Sequence, residues 1–242
     1  MEGCKVMSRN ILLMMMGGSG TRFGADIPKQ YIEIGEVPVF AYIIKKYSQM
    51  TEIDEIVIVS HADWIEFVCQ WAEKCDIKVP WHVTPGGATR SESVFNGLKE
   101  IKKFAKDEDV ILIHDATHPY VDVQGTRDVI DAVNRYGGAT LGAFQYDTVY
   151  RMNQEHFIEE VVPRQEIVSG ASPEAFRFGD IYRIYSNSTE EEFKRMTSAG
   201  AIALAHGIDM KVIQADVINL KITYKNDMKV FEKLVNTYFF ED

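Results

Sequence analysis

The sequence predicts an α/β fold, a single Rossmann-like domain with a mostly parallel sheet and a projecting β-arm. Short apolar runs bounded by turn residues recur along the chain, segments with helical spacing lie between most of them, and the first run stops at a glycine-rich turn. Strands alternating with helices imply parallel pairing through crossovers, with helices covering both faces of the sheet. A chain of 242 residues, 46% hydrophobic, can bury one substantial core. No linker, repeat or low-complexity tract divides it, so residues 1–242 are expected to form one domain.

The expected strands, in order, are NILLMMM at 10–16, EIVIVS at 55–60, VILIH at 110–114, GATLGAF at 138–144, MKVIQA at 210–215 and NLKIT at 219–223. Each is a short apolar run flanked by polar or turn residues. In residues 91–106, Val94, Leu98, Ile101 and Ala105 recur at helical spacing and predict a helix with one apolar stripe. Residues 147–164, DTVYRMNQEHFIEEVVPR, alternate imperfectly, and NQEH can turn a hairpin between TVYRM and FIEEVV. An isolated two-stranded hairpin is marginal in water, so this arm is expected to find a partner.

Composition excludes some partners. A formal charge of -10 argues against a nucleic-acid or anionic-membrane surface, so any phosphate must be met by a local cluster of cations. Cys4, Cys69 and Cys75 are odd in number and do not make a metal-type pair, which suits a reducing compartment; cytoplasm is the expectation. No run approaches the roughly 20 apolar residues of a membrane span, and the amino terminus lacks a secretory leader pattern.

The stretch MMMGGSGTRFGADIPKQY places glycines and the cations Arg22 and Lys29 directly after the first strand. In open α/β sheets ligands sit beyond the carboxyl ends of the strands. Glycines let amide N–H groups approach a phosphate, Arg22 offers a forked donor, and Lys29 a point charge. A P-loop would need a Gly-Lys-Ser/Thr ending, and a dinucleotide fingerprint a third glycine where Phe23 stands. A plain glycine turn with solvated cations is the remaining alternative.

Three further stretches carry chemistry. In PGGATRSESVFNGL, glycines precede a helix start, where Arg90 and Ser93 offer side-chain bonds; an ordinary capped turn looks the same. In VILIHDATHPY, Asp115 ends an apolar strand, a good place to hold a metal, and His114 reads as a packed core histidine. In NLKIT, Lys221 sits within an apolar run, as a strand-edge guard or as a paired functional cation.

Taken in order, GGSGTRFG with PKQY, GGATRSESVFNGL, HDATHP, YDTV, PRQEIVSGASPEAF and NLKIT resemble the cytidylyltransferases that join CTP to an alditol phosphate. That family includes the 2-C-methyl-D-erythritol 4-phosphate and ribitol-5-phosphate cytidylyltransferases, and MGGSGTRFG is more similar to the ribitol branch. The resemblance covers nearly the whole chain. It implies a nucleotidyltransferase in which Met16, Gly17, Gly18, Ser19, Gly20 and Thr21 wrap the CTP triphosphate, with Arg22, Lys29 and Lys221 as the catalytic cations. Gly87, Ala88, Arg90, Ser93 and Ala116 would complete the nucleotide site, and Asp115 would hold Mg²⁺. Thr148 and Arg164, on the arm of a second subunit in a homodimer, would grip the acceptor together with His118 and Ser172.

The chain also departs from the pattern. Ser198 and Ala199 follow Thr197 where an aspartate is common, so a second metal carboxylate is absent unless a nearby acid, Asp209 or Glu190 to Glu192, replaces it. His118 replaces an acceptor-side arginine, and Ala171 and Glu174 replace glutamines. The expected activity is formation of a CDP-alditol and pyrophosphate from CTP and a phosphorylated polyol. The alternatives are methylerythritol phosphate or another phosphorylated acceptor, a nucleotide-binding protein with little catalysis, and, on the glycine loop alone, an NAD-binding oxidoreductase.

Overall fold

A computed structural model describes residues 8–18, 27–215 and 218–240. Asn10–Met16 (β1) sends Leu12, Met14 and Met16 into one apolar core and Ile11, Leu13 and Met15 into another. Burial on both faces is why the run is apolar at nearly every position rather than every second one. A two-strand hairpin, Glu33–Ile34 (β2) with Val37–Pro38 (β3), leads into Val39–Ser48 (α1). Glu55–Ser60 (β4), Ile65–Lys74 (α2), Trp81–Pro85 (β5), Arg90–Ile101 (α3), Val110–Asp115 (β6), Val123–Tyr136 (α4) and Gly138–Phe144 (β7) follow in alternation.

Val149–Met152 (β8) and Ile158–Val162 (β9) pair antiparallel, and Asn153 closes their turn by accepting the Glu155 and Phe157 N–H groups. Tyr150, Met152, Phe157, Ile158 and Val161 on this hairpin are all more than half exposed. Val168–Arg177 (β10), Phe178–Asn187 (α5), Glu190–Arg195 (α6), Ala199–Ala205 (α7), Met210–Gln214 (β11) and Lys225–Phe240 (α8) complete the order.

The main sheet runs β11-β7-β10-β6-β1-β4-β5. Every neighbour pair is parallel except those of β10, which lies antiparallel between β6 and β7. This is the mostly parallel α/β sheet the sequence predicts. Helices α1, α2 and α4 cover one face and α3, α5 and α7 the other. Among the described residues, no helix is long and apolar enough to cross a membrane.

Some local expectations need correction. Residues 219–223 form no strand: Ile222 N–H makes one bond to Thr117 O, while Leu220 and Ile222 pack beside Tyr120 and α8. Their alternation serves side-chain packing, not a ladder. The helix expected over 91–106 ends at Ile101, and Ala105 reaches the core from the turn that follows. Strand β10 escaped the sequence reading because its register shifts between Gly170 and Glu174, where Pro173 has no N–H to give.

Candidate active site

Strands β1, β4, β5 and β6 run parallel and end at Met16, Ser60, Pro85 and Asp115, so their following loops meet along one edge. A cleft of about 500 Å³ opens there, with Gly17, Gly18, Lys29, Asp115 and Lys221 in its wall. Its floor needs glycine. A Cβ on Gly86 would stand 2.9 Å from Ser93 Oγ and 3.2 Å from Gly17 Cα, so the loops after β1 and β5 touch backbone to backbone. The Gln30 amide donates to Met16 O at 2.8 Å and Gly18 O at 2.7 Å, and the Tyr31 hydroxyl donates to Met16 O at 2.9 Å. These bonds fix where the glycine loop leaves the strand.

The amino end of α3 forms the opposite wall. Thr89 Oγ1 caps it by accepting Glu92 N–H at 3.1 Å, and Glu92 accepts Ala88 N–H at 2.8 Å. Ser93 Oγ accepts Gly87 N–H at 3.0 Å and donates to Thr89 O at 2.9 Å. The Gly87 and Ala88 amides are therefore engaged internally, and what they present to the cleft is backbone surface.

Asp115 is the electrostatic centre. Arg90 Nε and Nη2 donate to its Oδ1 at 3.2 and 2.9 Å, and Lys221 Nζ stands 3.5 Å from its Oδ2. Burial pushes this carboxyl up, but the Arg90 and Lys221 charges outweigh that and hold it down at about 2. Asp115 N–H donates to Ser172 Oγ at 3.2 Å, and the same hydroxyl shares a hydrogen bond with His118 Nδ1 at 2.7 Å. Burial, aided by the Lys221 charge, lowers His118 to about 3, so its ring is neutral at physiological pH. His114 is fully buried between the Tyr47 hydroxyl and His118 O, and burial lowers it to about 4. It is the packed histidine the sequence suggested.

Several expected residues lie elsewhere. Ser19, Gly20, Thr21 and Arg22 fall outside the described residues. Met16 is buried yet lines the cleft as expected, whereas Ala116 is fully buried outside its lining. Thr148 and Arg164 are exposed at the base of the arm, where Arg164 Nη1 donates to Tyr146 O, and neither lines this cleft. Ser198 caps α7 by accepting Ala201 N–H at 2.9 Å. Glu192 is spent on its own capping box and Asp209 lies outside this cleft, so neither replaces the absent aspartate. The second carboxylate near Asp115 is Glu174, whose Oε2 lies 3.7 Å from Arg90 Nη2. Burial pushes its carboxyl above the ordinary value, with Arg90 opposing. His61 and Thr117 also line the cleft, and nothing local in the sequence singles them out. Among the described residues, no group of three acidic, histidine or cysteine side chains is placed to hold a metal.

A Rossmann-like sheet with a glycine floor, paired cations and one carboxylate across its carboxyl edge is the frame of a nucleotidyltransferase. The family model for 2-C-methyl-D-erythritol 4-phosphate cytidylyltransferase (IspD) matches residues 11–237, and the chain belongs to that family of CTP-dependent cytidylyltransferases. It is 30% identical over 229 residues to a 2-C-methyl-D-erythritol 4-phosphate cytidylyltransferase of Clostridium botulinum (strain Langeland), covering 95% of this chain and 98% of the relative. It is 29% identical to a ribitol-5-phosphate cytidylyltransferase of Vibrio parahaemolyticus, covering 94% and 96%. The crystal structure of 4-diphosphocytidyl-2C-methyl-D-erythritol synthase from Anaerococcus prevotii superimposes with a TM-score of 0.81 at 23% identity, over 95% of this chain and 96% of that one.

Proposed function

We propose that this cytidylyltransferase uses a phosphorylated polyol, ribitol 5-phosphate or a close analogue, and releases a CDP-alditol and pyrophosphate. The observation that carries the reading is the convergence of Lys29, Lys221 and Asp115 on one glycine-floored cleft. A phosphate monoester oxygen attacks the α-phosphorus of CTP in line and pyrophosphate leaves. That nucleophile is already anionic at neutral pH, so no general base is needed; the obstacle is repulsion between anions and charge growing on the bridging oxygen. Lys29 and Lys221 answer it by charge, and the family resemblance adds Arg22. The glycine loop and α3 hold the nucleotide, with the α3 backbone surface against the base.

Asp115 keeps Oδ2 facing the cleft while Arg90 occupies Oδ1, an arrangement that suits Mg²⁺ brought in by the triphosphate, since Mg²⁺ dehydrates reluctantly and favours few protein ligands. Bound there, the ion would neutralise phosphate charge. His118 is neutral near Lys221 and adds no charge to the acceptor side, which suits a hydroxyl-rich acceptor. Transfer to 2-C-methyl-D-erythritol 4-phosphate is the second reading, favoured by the family model and the Clostridium relative.

The exposed apolar side chains of the β8–β9 hairpin support a homodimer in which a second copy covers the arm. Thr148 and Arg164 at its base would then serve the neighbour's acceptor site. A cytoplasmic location goes with the unpaired Cys69 and Cys75. The test is pyrophosphate release with Mg²⁺, each NTP and a panel of polyol and sugar phosphates. Release with CTP and ribitol 5-phosphate is expected; release with methylerythritol phosphate alone would select the second reading, and binding of CTP without release would reject both.

A further inference from the structure

Behind Arg90 stands a carboxylate that the chemistry above does not use. Glu174, in β10, accepts Gly200 N–H on Oε1 at 3.0 Å and Ala199 N–H on Oε2 at 3.2 Å, and Oε2 lies 3.7 Å from Arg90 Nη2. The same Nη2 donates to Asp115 Oδ1, so one guanidinium nitrogen is shared between carboxylates. Arg90 Nη1 is buried with no hydrogen-bond partner among the described residues. That orphan has an alternative: a guanidinium turned to face Asp115 with both terminal nitrogens would grip Oδ1 and Oδ2 together, the fork arginine usually prefers. Oδ2 would then be lost to Lys221 and to the cleft.

We propose that Glu174 is a positioning residue for the transfer reaction: by drawing Arg90 Nη2 toward β10 it confines the guanidinium to Oδ1 of Asp115 and keeps Oδ2 facing Lys221 and the nucleotide. In this chain, with Ser198 rather than an aspartate at the start of α7, that pull calls for an acceptor at every lone pair of residue 174. A glutamine at 174 would aim an NH₂ group at Arg90 or at an α7 amide, donor against donor. The contact also accounts for Gly200, where a Cβ would stand 2.7 Å from Glu174 Oε1 and displace the carboxylate.

The inference rests on the cytidylyl transfer proposed above, and its test reads two quantities: steady-state pyrophosphate release, and Mn²⁺ affinity in the presence of CTP by electron paramagnetic resonance. Glu174→Gln and Gly200→Ala should each lower kcat and weaken Mn²⁺ binding roughly tenfold, with the CTP KM moving less than about threefold. Gly200→Ala adds or removes no charge, so its loss of activity would report the displaced carboxylate rather than a changed net charge. In an Arg90→Lys background, Glu174→Gln should add no further loss. Unchanged kcat and Mn²⁺ affinity in Glu174→Gln, or the same fold-loss with and without Arg90, would overturn the proposal. If the wild-type protein releases no pyrophosphate with any acceptor, the proposed function fails alone, and Mn²⁺ affinity across the wild-type protein and its four variants still decides the role of Glu174.

Discussion

Arg90 reaches Asp115 sideways: Nε and Nη2 both donate to Oδ1, and Lys221 Nζ approaches Oδ2 from the other side at 3.5 Å. One carboxylate is thus divided between a structural cation and a cation of the cleft. Lys221 comes from a segment that meets the loop after β6 through the bond from Ile222 N–H to Thr117 O and through packing of Leu220 and Ile222 beside Tyr120.

Arg90→Met should leave a largely buried carboxylate with Lys221 as its one ion-pair partner among the described residues. Both partners keep some solvent contact, with side chains 29% and 17% exposed. The expected cost is about 2 kcal/mol, below the range for fully buried pairs. Urea unfolding at neutral pH checks it, and unchanged stability would mean that the pair is already screened by water.

Lys29→Ala and Lys221→Ala should each lower turnover by about a hundredfold or more, the usual effect of removing one donor aimed at developing charge. The fold should stay intact, because Lys221 is half exposed and Lys29 stands on a short turn at the cleft. Circular dichroism and pyrophosphate release are the measurements; near wild-type rates in both would remove the cations from the reaction.

Mixing Arg164→Ala with Lys221→Ala should restore part of the activity that each lacks alone. In a dimer that exchanges arms, one site of the mixed pair carries both intact residues. Absence of recovery despite demonstrated subunit exchange would confine Arg164 to its own subunit or dismiss it from the site.

Acid should destabilise the metal-free protein earlier than its carboxylates alone would dictate. His114 is lowered from 6.5 to about 4 by burial, so between those values the unfolded chain takes a proton that the folded chain refuses. Its neutral form is favoured without penalty above pH 6.5, and stability falls as pH drops toward 4. At pH 5 the loss is on the order of 2 kcal/mol. Unfolding measured from pH 7.5 to 5, as a check, should show a shallower slope for His114→Gln; equal slopes would place the proton uptake on other groups.

Strands β1, β4 and β6 were legible because apolar side chains face both cores along an unbroken run. Strand β10 was not, since Gly170 and Pro173 interrupt the pattern that a reader of periodicity needs. Leu220 and Ile222 misled for the opposite reason: they alternate as in a strand, yet their partners are Tyr120 and the side chains of α8. In the cleft, Lys29, Asp115 and Lys221 announce themselves as charges in apolar or glycine-rich surroundings. The Arg90 to Glu174 contact does not, because it joins a helix start to a distant strand and only folding brings them together.

The placement of β10 bears on how the chain is made. Until residues 168–177 leave the ribosome, β6 has β1 on one side and nothing on the other, although in the finished sheet its core residues are fully enclosed. A nascent chain holding only β1 to β7 therefore carries a long, flat, apolar edge, the kind that invites pairing with another molecule. Arrest or truncation before Arg177 should yield inclusion bodies, and a peptide of β10 sequence supplied in trans is the natural plug for that opening.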